Sequence, residues 1–413
     1  MRLCCFFNII SIVRDIREME VNMKVLLVHN KYSEYGGEDS IVEKQYQLYK
    51  KKGIDVELYT KSNNNIDSLS IINKIKMIKE SYSSKKTESE LIEITSNFNA
   101  DIVHIHNVYP IISPGVYEFF YKRNIPIIQT LHNYRFICPN GLMFRNNSVC
   151  EKCLKNNNYY ECFYNKCYHE SYMQSLWYSN LISNSFNKGV FNKINKFIAL
   201  NNFVKQKMIE KGYDGAKIEI IPNSTNEKPT LECYDKKDYY LYIGRISNEK
   251  GVNTIIKTFS MLNNINLKIV GTGPLENEIK NFIKEKGINN IEYIGFKNGI
   301  EKDNLIRFSK AIIVPSEWYE NFPTVVLEAF SLGTMVIASD IGGLKYMIKN
   351  DYNGIKFKSG DVFDLKQKLL LIDRNKELIA ELSKNAYNTY INYYTEDIYY
   401  NKHMNLYNNL IKR

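Results

Sequence analysis

The chain has 413 residues, 44% hydrophobic and 24% charged, with 55 Lys and Arg against 45 Asp and Glu for a formal charge of +10. That length is too great for one compact core and suits two domains of ordinary size. No run approaches the roughly 18–20 apolar residues of a membrane-spanning helix, and the charge, spread along the chain, favours anionic partners without choosing among phosphate, nucleic acid and an acidic membrane face.

The apolar run 3–13 is broken by Asn8 and Ser11, is followed by Arg14, Asp15 and Arg17, and has no small-residue cleavage site behind it. Residues 1–22 therefore read as a non-structural extension before a second start at Met23, and the protein is expected to be cytoplasmic with reduced cysteines. Short β-branched runs then alternate with longer amphipathic stretches, the pattern of parallel sheets with crossover helices. Strands are expected at 25–29, 56–59, 102–106, 125–131, 197–200 and 218–221, and a helix at 38–52 that stops at Gly53. These make a first domain, 23–222, with a Cys-rich insertion near 138–169. The polar segment 223–238 reads as a linker. A second domain, 239–386, repeats the pattern with strands at 239–243, 267–270, 291–294, 311–314 and 335–338. The aromatic stretch 387–413 is expected to be helical and to pack back on the first domain.

Three strand exits in the second half carry the chemistry. Gly244-Arg245 through Lys250-Gly251 puts two cations on one glycine-flanked turn, where Arg forks onto phosphate oxygens and Lys adds a point charge. A solvated basic loop is the bland alternative. Gly271-Thr272-Gly273-Pro274 is a second such turn, alone no more than a tight bend. The third runs from Pro315 to Thr324, where Pro323 suits the start of a helix whose open N–H groups favour a phosphate. Glu320 lies before that helix and Glu328 two turns inside it. Eight helical residues rise about 12 Å, more than the roughly 5–5.5 Å between the carboxylates of a retaining glycosidase, so the two serve separate roles. In the first half, His132 follows a strand and can donate to a phosphate or accept a proton.

Together these motifs resemble the family-four retaining glycosyltransferases. Glu320 and Glu328 form the Glu-x7-Glu pattern, and Gly244–Gly251, Gly271–Pro274, Gly342-Gly343, Pro222-Asn223 and Gly36-Gly37 stand where that family places its motifs. The resemblance runs from Met23 onward and implies an α/β, GT-B fold, two Rossmann-like domains with parallel sheets facing across a cleft. It implies that Arg245 and Lys250 bind a donor diphosphate with backbone at Gly37. Glu320 would hold donor-sugar hydroxyls, Glu328 the ribose hydroxyls and Phe296 the base, with Gly273, Asn321, Phe322 and Thr324 completing the donor side. His132 and Glu320 would form the catalytic centre, and Glu38, Asp39, His106 and Asn107 would line the acceptor side. One departure is that Gly342-Gly343-Leu344 continues with Lys345-Tyr346 rather than Pro-Glu.

The implied reaction is a metal-independent, retaining transfer from a nucleotide-diphosphate sugar to a glycan or lipid-linked saccharide, in bacterial capsule, exopolysaccharide or O-antigen synthesis. No Asp-x-Asp motif is present to hold a cation, so cations and helix dipoles would neutralise the leaving diphosphate. No cofactor is expected for catalysis. Cys150 and Cys153 have zinc-knuckle spacing, and Cys162 and Cys167 supply a second pair for a structural zinc, with Cys138 and His169 as alternates. Reduced cysteines packed in a helical insertion are the other reading. The basic stretch 73–86 fits weak contact with the inner face of the plasma membrane or a solvated helix. Against the enzyme stand a catalytically silent partner of an active transferase, a nucleotide-sugar epimerase on the same architecture, and nucleic-acid binding, for which no motif exists.

Overall fold

The computed structural model describes residues 23–33, 36–62, 81–225 and 235–411. The extension 1–22, residues 73–80 of the basic stretch and most of the linker lie outside the described residues.

The first domain begins with β1 (Lys24–Lys31), β2 (Asp55–Ser62), β3 (Ile102–Asn107) and β4 (Ile127–Leu131). A small antiparallel hairpin, β5 (Phe144–Arg145) and β6 (Ser148–Val149), belongs to the insertion. β7 (Lys196–Ala199) and β8 (Ile218–Ile220) complete the sheet, whose order is β2-β1-β3-β4-β7-β8 with every pair parallel. Val25, Leu26, Leu27 and Val28 are all fully buried. Both faces of β1 are covered by other elements, which is why its sequence is a continuous apolar run instead of an alternation.

The second domain holds β9 (Tyr240–Ile243), β10 (Leu267–Val270), β11 (Ile291–Gly295), β12 (Ile312–Val314), β13 (Val336–Ser339) and β14 (Gly354–Phe357). Its order is β11-β10-β9-β12-β13-β14, again parallel throughout. In each sheet the chain reverses direction of build beside its first strand. The crevice beyond the strand ends at such a reversal is where open α/β sheets take ligands.

The expected boundary at residue 387 moves. Helix Lys376–Tyr393 runs straight through it, because Ile379, Leu382, Ala386 and Tyr390 keep one face on the second domain's cores. The crossing comes after Tyr394. Helix Glu396–Ile411 then lays Tyr399, Tyr400, Met404, Tyr407 and Leu410 against Val25, Leu27, Leu48 and Tyr49 of the first domain. Each such side chain contributes roughly 1.5–3 kcal/mol by leaving water, offset by the cost of ordering the helix.

Candidate active site

The two sets of strand ends enclose a cleft of about 990 Å³, lined from the first domain by Gly37, Glu38 and His132 and from the second by Arg245, Lys250, Gly273, Phe296, Lys302, Glu320, Thr324 and Glu328. Residues more than a hundred positions apart in the chain thus share one space.

Glycines set the second domain's wall. Gly271 has a φ of +136°, and a Cβ there would lie 1.9 Å from the carbonyl oxygen of Gly244. A Cβ on Gly273 would lie 2.4 Å from that of Ile246. The two glycine turns are therefore pressed together, and a side chain on either would push the Arg245 loop away. Gly343 plays a similar part: its N–H donates to the Glu320 carbonyl at 2.7 Å, and an added Cβ would sit 2.0 Å from the carbonyl of Asn321. The Gly342-Gly343 segment, despite its unusual continuation, seats the Glu320 loop.

Glu320 is buried, with its Oε1 accepting from Lys250 Nζ and from Ser316 Oγ, both at 2.7 Å. Burial alone would raise its pKa, but the Lys250 ammonium and the hydrogen bonds to the carboxylate together outweigh it and hold the carboxyl below the ordinary carboxylate range. Lys250 also lies 5.0 Å from the centre of the Trp318 ring. The Arg245 carbonyl accepts from Tyr242 Oη at 2.7 Å, while its exposed guanidinium has no side-chain partner among the described residues. Glu328 pairs with Lys302 at 2.9 Å. The helix carrying it, Thr324–Ser331, begins one residue later than expected, with Pro323 as its cap.

The same loop is fastened across the cleft. Asn321 Nδ2 donates to the Leu131 carbonyl at 2.7 Å, and Asn201 Nδ2 donates to the Asn321 carbonyl at 2.5 Å. Asn321 lines the cleft, yet its amide is already spent on joining the domains. Phe322 is buried against Tyr394, their rings 5.8 Å apart.

On the first domain's wall, His132 Nε2 is 2.8 Å from His106 Nδ1. Burial, then the neighbouring His29, pulls the His132 pKa down to about 3, so the ring is neutral. Glu38 Oε2 accepts from Tyr32 at 3.0 Å and from Asn133 at 3.4 Å, while its Oε1 is buried without a hydrogen-bond partner. Burial raises the Glu38 pKa against the pull of His29, 3.9 Å away.

Three expected acceptor-side residues do not line the cleft. Asp39 is buried and caps the helix Gly37–Lys51, accepting from the Gly36 N–H at 2.9 Å and from His29 Nε2 at 2.8 Å. Asn107 is buried at a strand end, donating to the Asn30 carbonyl at 2.9 Å and accepting from the Tyr109 N–H at 3.0 Å. His106 sits behind His132. Polar residues at strand exits suit ligands and loop closure equally well, so their letters alone did not separate the two uses.

Residues 36–228 match the family described as Glycosyltransferase Family 4, and residues 223–389 match the one described as Glycosyl transferases group 1. The chain belongs to the family-four glycosyltransferases. An uncharacterised glycosyltransferase of Methanocaldococcus jannaschii is 30% identical over 193 residues, which cover 46% of this chain and 53% of that relative. The chain thus matches about half the length of that protein. The N,N'-diacetylbacillosaminyl-diphospho-undecaprenol alpha-1,3-N-acetylgalactosaminyltransferase of Campylobacter jejuni is 28% identical over 261 residues, covering 58% of this chain and 68% of its own. A glycosyltransferase structure from Rickettsia africae superposes with a TM-score of 0.67 at 20% identity, covering 95% of this chain and 99% of that one. Such a likeness shows a common fold, the two-domain GT-B architecture.

This family-four chain carries an insertion whose thiols are arranged differently from the expected quartet. Cys138 Sγ donates to Asn140 Oδ1 at 3.0 Å, and the thiols of Cys138 and Cys153 and those of Cys162 and Cys167 perturb one another as neighbouring pairs. Among the described residues no three His, Cys, Asp or Glu side chains are grouped to hold a metal. Cys138, Cys153 and Cys162 are buried as small apolar groups. The neighbouring Cys153 thiol holds the Cys138 thiol down to about 7. Among the described residues no helix is long and apolar enough to cross a membrane.

Missed by sequence reasoning were Ser316, which shares Glu320 with Lys250, and Lys302, which holds Glu328. A serine four residues before the key glutamate was a signal; nothing in the spacing pointed to Lys302.

Proposed function

We propose that this protein is a retaining, metal-independent glycosyltransferase that moves a sugar from a nucleotide-diphosphate donor to a lipid-linked saccharide or related glycan. One observation carries the reading: an unpaired guanidinium, a Lys–Glu pair and a neutral histidine face the same cleft from opposite walls. The relative named for a diphospho-undecaprenol acceptor supports the acceptor class.

In this reading Arg245 and Lys250 take the diphosphate oxygens, and the open end of helix Thr324–Ser331 adds its dipole. Lys250 then shares its charge between Glu320 and phosphate, while Glu320 turns its second oxygen to the sugar hydroxyls. Glu328 holds the ribose. The bond between the anomeric carbon and the phosphate oxygen breaks as the acceptor oxygen attacks from the same face. The departing phosphate oxygen takes the acceptor's proton, so the configuration is kept and no cation is consumed.

The test is to incubate purified protein with a panel of nucleotide sugars and lipid-linked saccharides, with and without a chelator. Transfer that survives chelation, keeps the anomeric configuration and disappears in Glu320→Ala supports the reading. A protein that binds donors but never transfers or hydrolyses them would instead be the silent partner subunit. Loss of transfer on chelation would remove the metal-independent part.

A further inference from the structure

Five of the six histidines form one connected string running inward from the cleft. Ring centres lie 5.1 Å apart for His132 and His106, 4.4 Å for His106 and His104, 5.5 Å for His104 and His403, and 6.3 Å for His106 and His29. Stacked imidazoles in a core must be neutral, since adjacent charges there would repel without water to screen them.

The hydrogen bonds then fix which nitrogen carries each proton. Tyr399 donates to Gln45 Oε1 at 2.6 Å, which turns the Gln45 amide nitrogen toward His104 Nδ1, 3.1 Å away. His104 therefore accepts at Nδ1 and donates from Nε2 to Thr130 Oγ1 at 2.6 Å. Its neighbour His106 is 3% exposed and has one partner, His132 Nε2 at 2.8 Å; its own Nε2 is buried with none. Two neutral rings sharing one hydrogen bond place a single proton in it. Were that proton from His132, His106 would keep its own on Nε2, a buried N–H without an acceptor, at about 1–3 kcal/mol. With the proton from His106 Nδ1, only a bare acceptor is left unfilled, and orphaned acceptors are the more tolerated defect.

We infer that His106 is a positioning residue that locks His132 in the Nδ1–H tautomer, so that His132 offers the cleft a hydrogen-bond donor and not a basic lone pair. His132 Nδ1 has no protein partner among the described residues and His132 lines the cleft. Its proton is thus available to a sugar hydroxyl or phosphate oxygen. The catalytic consequence rests on the glycosyltransferase reading; the tautomer does not.

The experiment is nitrogen-15 NMR of the histidine rings, with His132 assigned by substitution, in the wild type, His106→Asn and His106→Phe. Asn places an N–H donor near the position of Nδ1, whereas Phe keeps bulk and removes the donor. The expected result is a protonated Nδ1 and a bare Nε2 on His132 in the wild type and His106→Asn. His106→Phe should show a mixture of both tautomers. In transfer assays His106→Asn should stay within about threefold of wild type, and His106→Phe should lose roughly 10- to 100-fold in kcat with little change in donor KM. A wild-type His132 protonated on Nε2 would overturn the inference whether or not the protein transfers sugar. So would a folded His106→Phe with an unchanged His132 tautomer.

Discussion

On the second domain's wall the working groups are charged and within reach of water: Arg245 is exposed, and Lys250 and Lys302 each hold a glutamate at under 3 Å. On the first domain's wall the histidines are neutral, with His132 backed by the buried His106 and His104 and the whole string closed off by Tyr407 and His403. The first arrangement can exchange one partner for another when an anion arrives. The second cannot rearrange without exposing its core, so it fixes a direction and a proton. In the proposed transfer, binding strength and geometric selection would then fall to different halves of the protein.

The sharpest way to break this contrast is Arg245→Met, which removes a cation without touching a protein contact. It should leave thermal stability unchanged and lower kcat/KM for donor by roughly 10²–10³, with loss of stabilisation by inorganic pyrophosphate in a melting assay. A similar loss from a first-domain surface cation would erase the distinction.

Acid should act on the opposite wall. Burial holds His403 down to about 4, against the bond its Nδ1 gives the Tyr399 carbonyl. An unfolded histidine titrates near 6.5. Between those values the unfolded chain binds the proton and the folded one does not, so this stability is present above about 6.5 and lost as pH falls toward 4. The loss amounts to up to roughly 3 kcal/mol for this ring. Urea unfolding across that range should show it, with a flatter slope in His403→Phe.

Gly343→Ala comes next. Its Cβ would sit 2.0 Å from the Asn321 carbonyl, so the Glu320 loop must shift. A displacement near 1 Å costs about 100-fold in rate, which steady-state kinetics would read as a fall in kcat. Smallest is Tyr407→Phe, which removes the hydroxyl bonded to His104 and to Tyr49, the latter at 2.9 Å. About 1 kcal/mol of stability should go, seen as a melting shift of a few degrees with donor affinity intact.

The strands and the Arg245, Lys250, Glu320 and Glu328 positions were legible because each sits on a glycine- or proline-marked strand exit, a local pattern. Asp39 and Asn107 misled for the same reason: they too stand at exits, but their side chains turn back to satisfy the backbone. The histidine string was invisible because its links join β3 and β4 to a helix some 300 residues away, as in His104 and Tyr407. Spacing alone singled out Cys150 and named Cys138 only as an alternate, because it cannot say that Cys138, upstream of the hairpin, comes back beside Cys153.

Helix Glu396–Ile411 has a consequence for how the protein is made. It covers an apolar face belonging to the earliest strand, bonding Tyr407 to Tyr49 across 358 positions. During synthesis that face stays uncovered until residues 396–411 have been translated, so the first domain cannot finish folding before the second has emerged. Fragments of the first domain expressed alone would carry a raw hydrophobic surface, and a successful truncation would have to supply the missing helix in trans.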